Sequence, residues 1–480
     1  MVRKAIAGAL LLAAAGCKLG PDYKRPPVTT PDAWREVPAD QATNLANTPW
    51  WEVFGDPTLQ ELIRTALLEN KDLKIAVERI EEARARYGFT HADVWPQIDV
   101  GGTAGSLRFN AGSLMHTPEA DAGTGEATET DIYSASFSMS WEIDFLGRIR
   151  RASEAQMALF LGTEEARRSA VLTLVADVAR AYLELRDFDS RLEIAQHTIG
   201  TRREYVQFAK DRFEGGVTGE LDFRQAEAEL HRVEAVAFEL ERLIALKENE
   251  LSVLLGRNPG AIPRGVPLHE QKVPSAVPAG LPSELLDRRP DIRVAEQTLA
   301  AATANIGEAK ALLFPRIALT GSYGYTSTDF DTLFDGPSKA WNLLGNIVQP
   351  LFYAGKNKRR LEMTESRQRQ ELYAYERTIL NAFRETEDAL VGYRKSGEIS
   401  LAQAGRVEAQ RKVLELADLR YKGGVADYLE VLDAQRSLFD AELDEAQSVG
   451  IHLISLVQIY KALGGGWPAA PEEPPAETSN

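Results

Sequence analysis

The sequence predicts an α+β membrane protein built from two structural repeats, in which each repeat supplies two transmembrane β-strands and one very long helical hairpin. Three observations support this prediction. Segments recur at a fixed separation, strands of alternating apolar and serine residues follow short helices, and two stretches, 148–213 and 356–421, contain no proline. Sustained periodicity of these kinds is the main sequence signal for secondary structure.

The composition excludes several classes of protein. The 480 residues include 55 Lys and Arg against 71 Asp and Glu, which gives a formal net charge of −16. So acidic a chain is a poor binder of nucleic acid, because phosphate neutralisation needs a basic surface. The single cysteine, Cys17, excludes a disulfide framework and a cysteine-based zinc cluster.

The amino terminus, residues 1–16, is predicted to be a secretory signal peptide. Its apolar run from Ala5 to Ala15 is too short to cross a bilayer as a helix. Cys17 follows small residues as in the bacterial lipobox, in which the thiol is acylated, although Ala14 stands where Leu is usual. A chance cysteine after an ordinary signal peptide is the alternative. Lys18 stands where Asp would act as an inner-membrane retention signal in such lipoproteins, so the resemblance to them implies sorting to the outer membrane.

Two copies of one unit follow. Asn70–Ala76 matches Arg289–Ala295 at a separation of 219, and Arg212–Val217 matches Arg420–Val425 at a separation of 208. The first copy is therefore 11 residues longer, within a polar loop near 110–130. Pro-rich segments flank and join the copies. The predicted organisation is a signal peptide at 1–16, a lipid-anchored extended segment at 17–55, a first repeat at 56–258, a linker at 259–282, a second repeat at 283–466 and a disordered tail at 467–480.

The strand Tyr133–Trp141 alternates aromatic or apolar residues with serines. A tilted transmembrane strand needs about 9 to 11 residues and has aromatic residues at its ends, and Tyr133–Trp141 meets both conditions. Residues 317–325 repeat the alternation, and a weaker return strand is expected around 341–349. Four strands cannot close on themselves, and open edges inside lipid are costly. A conducting pore therefore needs at least three chains.

Each strand pair is followed by a long predicted helix. In the first, apolar residues recur every seven positions at 171, 178, 185, 192, 199, 206 and 213. In the second, at 356–421, the apolar stripe is less regular. Sustained heptads indicate packing against neighbouring helices as in a coiled coil. A generic coiled-coil spacer is the alternative, but it does not explain why each helix follows a membrane-type strand.

Three separated motifs, at Cys17–Pro26, Gly280–Ile292 and Tyr421–Gln435, resemble the TolC-like outer-membrane factor family in its efflux-lipoprotein (OprM/NodT-like) branch. The resemblance implies a homotrimer whose twelve-strand barrel continues into a long α-helical periplasmic tunnel. It also implies the outer membrane of a Gram-negative bacterium as the location. The implied partners are outer-membrane lipid, a periplasmic adaptor (membrane fusion protein) and an inner-membrane proton-driven transporter.

By the same resemblance, Leu429, Glu430 and Asp433 form a gate at the periplasmic end of the tunnel. Leu429 is expected to form an apolar constriction. Glu430 and Asp433 are expected to form carboxylate rings, which attract cations. On its own, an acidic residue on a helix is more often part of a solvated face.

The family pattern also implies a latch between the two hairpins, formed by Tyr421 and Asp222. A supporting arginine found in some relatives has no counterpart, because Ala426 occupies its place. Each Gly-Gly turn reverses a long helix, since glycine readily adopts positive φ. The turns are the expected adaptor contacts, with residues Gly215, Gly216, Val217, Gly423, Gly424 and Val425.

The predicted function is the outer-membrane channel of a tripartite efflux pump of the RND type, which exports drugs or other small toxic compounds. Type I protein secretion, metal-ion efflux and a scaffold without a pore are the alternatives. No catalysis is expected, because the chain has no HExxH, GxxxxGK[ST] or GxSxG motif. No cofactor or metal is expected beyond a covalent lipid on Cys17.

Overall fold

The computed structural model describes residues 18–35, 55–110, 127–271 and 280–465. They form two compact units. Of the described residues, the first unit contains 18–26, 81–110, 127–162 and 296–373 and includes the β-sheet. The second contains 27–35, 55–80, 163–271, 280–295 and 374–465 and is helical. The signal peptide, Cys17 and the tail 467–480 lie outside the described residues, so lipidation and disorder remain predictions.

The helices come in equivalent pairs. α2 and α6 have 22 residues each, α3 and α7 have 67 each, and α4 and α8 have 35 each. Their starting residues are separated by the same 219 and 208 positions that relate the sequence motifs, which confirms the two structural repeats. The helices are α1 Pro57–Glu69, α2 Lys71–Ala92, α3 Arg148–Glu214, α4 Glu220–Leu254, α5 Leu285–Arg288, α6 Pro290–Ala311, α7 Lys356–Lys422 and α8 Tyr428–Ala462.

The long helices α3 and α7 each span about 100 Å at 1.5 Å per residue. The predicted heptad stripe of α3 supplies part of the core of the second unit, where Val178 and Leu185 are fully buried. Leu192 and Ile199 continue the stripe against α4, and Phe213 at its end is partly exposed. Within the described ranges, no helix combines the length and the apolar character needed to cross a bilayer.

The first unit contains one antiparallel sheet with the strand order β1-β2-β3-β4. β2 pairs with β3, so the two hairpins of the two repeats form a continuous surface. β1 and β4 are its edges. The strands are β1 Gln97–Asn110, β2 Ala127–Ile143, β3 Arg316–Ser327 and β4 Lys339–Val348.

The pairing register separates the side chains of the sheet into two faces. Phe137 lies between Val100 and Tyr323, and Tyr323 lies opposite Trp341. Residues directly opposite in adjacent strands share a face. One face is therefore rich in aromatic and aliphatic side chains. The other carries Gly101, Thr103, Ser134, Ser136, Ser138, Ser322, Gly324, Asn342 and Asn346.

A buried carboxylate organises the linker between the repeats. Asp56 is fully buried and caps α1, accepting a hydrogen bond from the Thr58 amide at 2.8 Å. It also accepts hydrogen bonds from the Tyr182 hydroxyl at 2.8 Å and from the Val266 amide at 3.0 Å. The first part of the Pro-rich linker is therefore tied to α1 and α3. Nothing in the local sequence around Asp56 predicts these partners.

Candidate functional site

One turn joins α3 to α4 and the other joins α7 to α8. The two turns have the same backbone geometry. Gly216 has φ +72° and Gly424 has φ +71°. The amide of Val217 donates to the carbonyl of Arg212 at 2.9 Å, and the Gly216 amide donates to Phe213 at 3.0 Å. This is a Schellman motif, and its left-handed residue favours glycine. Only the second glycine of each pair adopts positive φ.

The residues of both turns are accessible: Gly215, Gly216, Val217, Gly423, Gly424 and Val425 are all exposed. Val217 and Val425 are exposed apolar side chains at equivalent positions of the two turns. Each turn thus presents one apolar side chain to the surroundings. The adaptor contact predicted from the sequence remains untested.

Beneath the turns, the two hairpins pack together through a small core. It includes residues of the long helices α3 and α7 and of α4 and α8, the return helices that follow the turns. Tyr421 and Tyr428 lie at its centre, with ring centroids 5.7 Å apart. The guanidinium of Arg212 lies 5.3 Å from the Tyr421 ring centroid, so that a cation–π contact joins α3 to α7. The buried residues of this tip core are Ala209, Ala226, Ala417, Tyr421, Tyr428, Val431, Leu432 and Ala434.

The three predicted gate residues lie on the exposed face of the first turns of α8. Leu429, Glu430 and Asp433 are all exposed, whereas Val431 and Leu432 between them are buried. The side chains are therefore placed where a second molecule or a water-filled lumen can reach them. The rings that they would form in an oligomer remain a prediction.

Glu430 has a counter-charge that the sequence did not reveal. The Arg420 guanidinium at the end of α7 lies 2.9 Å from the Glu430 carboxylate. Both side chains are about half exposed, so this pair contributes little stability. It does neutralise the negative charge of Glu430 locally, which leaves Asp433 as the stronger candidate for an anionic ring.

The predicted latch residues are close but not bonded in a single chain. Burial is the largest influence on Tyr421 and raises its pKa, with Arg212 opposing the increase and the Asp222 carboxylate adding to it. Among the described residues, the structure shows no hydrogen bond between Tyr421 and Asp222. The latch therefore remains a prediction.

Other polar contacts, which the sequence analysis missed, do join the two hairpins. The Tyr205 hydroxyl of α3 donates to Asp418 of α7 at 2.7 Å. Arg202, which is buried in α3, donates to the Gln435 carbonyl of α8 at 3.1 Å. Burial lowers the pKa of Arg202, and the Glu229 carboxylate opposes this effect.

Glu229 is the centre of a buried ion-pair cluster near Arg202. It is fully buried, and its carboxylate lies 2.9 Å from Arg232 of its own helix α4 and 2.6 Å from Arg436 of α8. A buried carboxylate with two arginines joins the return helices of the two repeats. The sequence does contain a signal for the burial of Glu229. On α4 it lies three residues after Ala226 and four before Val233, on the same face of the helix as these buried apolar residues.

The sequence profile described as outer membrane efflux protein matches residues 62–257 and 281–465. The probable efflux pump outer membrane protein TtgC of Pseudomonas putida is 36% identical over 459 residues, covering 94% of this chain and 93% of the relative. The cation efflux system protein CusC of Escherichia coli K12 is 34% identical over 460 residues, covering 95% of this chain and 97% of the relative.

Solved structures show the same fold. The MtrE outer membrane channel of Neisseria gonorrhoeae, solved in its open state, matches with a TM-score of 0.82 and 32% identity, covering 94% of this chain and 98% of MtrE. These likenesses confirm the predicted resemblance, the fold of strands continued by long helices, the location in the outer membrane and the role in efflux.

Proposed function

The chain belongs to the outer membrane efflux protein family, and on this premise we propose that three copies form the outer-membrane duct of a tripartite pump. The duct receives cargo from an inner-membrane proton-driven transporter through a periplasmic adaptor. The proposed cargo is small toxic organic compounds. The chain itself has no catalytic activity in this proposal.

The two-faced sheet with unpaired edges is the observation that supports a shared pore. β1 and β4 end the sheet, and edge backbone groups in lipid must find partners. In the proposal, β4 of one chain pairs with β1 of the next, and three chains supply twelve strands. The aromatic face then contacts lipid and the serine-rich face lines a lumen.

The proposed gate is formed at the turns of the helical hairpins. Leu429 supplies the constriction, Asp433 supplies the main anionic ring, and the exposed Val217 and Val425 contact the adaptor. In the proposal, Cys17 carries the lipid anchor. Mass spectrometry of the mature protein tests this and should find an acylated amino-terminal peptide.

The gate is tested by single-channel recording in planar bilayers. Leu429→Ala is expected to raise conductance, because it removes apolar side chains from the constriction. Asp222→Ala is expected to do the same if the Tyr421 latch operates. Unchanged conductance in both variants contradicts this gate. Block by a trivalent cation added from the periplasmic side should weaken when Glu430 and Asp433 are both replaced.

Cargo is tested by deleting the gene and measuring susceptibility. Relatives are named for toluene, solvents and antibiotics, and others for cations. Sensitivity to organic solvents and hydrophobic antibiotics, restored by the wild-type gene, supports the proposal. Sensitivity confined to metal-cation salts favours cation efflux, and loss of a secreted protein without drug sensitivity favours type I secretion.

A further inference from the structure

The β3–β4 loop, residues 328–338, presents two large apolar side chains at its surface. Phe330 and Phe334 are 66% and 68% exposed. A single exposed apolar side chain is ordinary on a protein surface, whereas a group that extends a larger apolar patch marks a contact site. The neighbours of the two phenylalanines therefore show whether this loop has a partner.

Both phenylalanines pack on the aromatic face of the sheet. The Phe330 ring lies edge-to-face on Tyr133 of β2, with the ring centroids 5.6 Å apart, and the Phe334 ring lies in the same way on Tyr325 of β3 at 5.5 Å. Side chains alternate between the two faces along a strand, so both tyrosines share a face with Phe137. The two phenylalanines therefore lie on the aromatic side of the sheet and not on its serine-rich side.

Tyr133 marks the level at which the aromatic face ends. Two residues beyond it on β2, and on the same face, stands Asp131, and the next pair on that face is Arg108 with Glu129. Apolar side chains thus give way to charged ones, as they do where a membrane-spanning strand passes from hydrocarbon into water. The two phenylalanines of the loop lie at this boundary.

Hydrogen bonds within the loop hold these phenylalanines in place. The Ser327 and Thr332 hydroxyls are 2.7 Å apart, and the Asp329 amide donates to the Ser327 hydroxyl at 3.1 Å. The Ser338 hydroxyl donates to the Thr332 carbonyl at 2.7 Å. The apolar surface is therefore preorganised, so little conformational entropy is lost when it meets a partner.

We propose that the β3–β4 loop docks on the surface of the bilayer, with Phe330 and Phe334 inserted at the boundary between headgroups and acyl chains. This inference rests on the proposed membrane-spanning sheet and adds a lipid contact outside its strands. Continuity with the aromatic face, which contacts lipid in that proposal, identifies lipid as the partner. In this position the loop leaves the mouth of the duct uncovered.

The charge of the loop indicates which part of the lipid it contacts. Asp329, Asp331 and Asp335 are exposed, and residues 328–338 include no lysine or arginine. Carboxylates and the phosphates of anionic headgroups repel one another. The contact therefore depends on the apolar boundary of the bilayer and not on an anionic headgroup, and a neutral lipid suffices to test it.

Fluorescent labels test the contact in the full-length protein reconstituted into phosphatidylcholine vesicles. Phe330→Cys and Phe334→Cys each carry a label whose emission shifts to the blue in apolar surroundings. Wild-type protein treated in parallel gives the signal from Cys17. We expect blue-shifted emission that brominated lipid quenches and aqueous iodide does not. Asp331→Cys on the same loop is the matched control, and iodide should quench its label.

A label at Phe137 separates failure of this inference from failure of the proposed pore. Phe137 is an exposed residue of the aromatic face, so brominated lipid should quench a label on Phe137→Cys. Lipid quenching at 137 together with iodide quenching at 330 and 334 overturns the loop contact and leaves the pore intact. Absence of lipid quenching at 137 contradicts the proposed lipid-facing sheet, whatever the loop labels show.

Single-channel recording gives an independent readout. The double variant Phe330→Ser with Phe334→Ser should keep the wild-type conductance, because the loop lies beside the lipid and not over the mouth of the duct. A higher conductance in this variant would place the two phenylalanines over the opening and would refute the proposed contact.

Discussion

The ion-pair cluster at Glu229 allows a sharp test of how the two hairpins are held together near the turns. Breaking a fully buried ion pair costs about 3 to 5 kcal/mol. Here the carboxylate is 0% exposed, but Arg232 and Arg436 are 36% and 45% exposed and can partly regain water. Glu229→Gln also keeps the size and one acceptor of the side chain. We therefore expect local destabilisation of about 2 kcal/mol.

The matched control is Glu239→Gln on the same helix. Glu239 also pairs with an arginine three residues later, Arg242, but its side chain is 53% exposed. Exposed pairs of this kind contribute little to stability, so the control should change stability little. The two variants differ mainly in burial and in the contact with α8.

Native-state hydrogen exchange measures this difference. A loss of 2 kcal/mol should speed exchange of the protected amides around 229 and 436 by about 30-fold. Glu239→Gln should leave these amides almost unchanged. If both variants gave the same exchange rates, the cluster would not hold the return helices together, and the proposed importance of burial at Glu229 would be wrong.

Four further substitutions have expected outcomes in thermal or denaturant unfolding. Burial raises the pKa of the Asp187 carboxyl to about 6. From about pH 4 to 6 the folded state therefore binds a proton that the unfolded state lacks, and the free energy of unfolding falls as pH rises. Asp187→Asn should stabilise the protein by about 2 to 3 kcal/mol at pH 8 and not at pH 4, and equal gains at both pH values would contradict this. Gly216→Ala should destabilise by about 1 kcal/mol, because Gly216 has positive φ, whereas Gly200→Ala inside α3 should stabilise by about 0.5 to 1 kcal/mol. Gly265→Ala should destabilise the protein by about 3 kcal/mol, since the new Cβ would lie 2.2 Å from Asp56. A variant with the same midpoint of unfolding in chemical denaturant as the wild type would refute this.

Periodicity made the long elements predictable. The predicted helices at 148–213 and 356–421 are observed as Arg148–Glu214 and Lys356–Lys422. The alternating strand at Tyr133–Trp141 lies within β2, with its serines on one face of the sheet. Such elements repeat one simple pattern over many residues, so each added period strengthens the prediction. Because equivalent helices start 208 or 219 residues apart, a helix boundary found in one repeat also gives the boundary in the other.

Single polar contacts at the candidate site were not predictable. Arg420 beside Glu430, and Tyr205 beside Asp418, join residues on different elements, and their distances depend on how the hairpins pack. An acidic residue on a helix surface has the same local pattern whether it is solvated or paired. The sequence could therefore nominate Leu429, Glu430 and Asp433 only through a family resemblance.

The sequence by itself determined the two repeats, the lengths of the helices, the alternation of the strands and the glycine turns, because each is encoded by local spacing and backbone preference. Only the tertiary structure decided that β2 pairs with β3, that Asp56 fixes the linker and that Glu229 pairs with Arg436 of α8. These features join residues distant in sequence. Their energies depend on burial and on distances of a few ångströms, which no local pattern specifies.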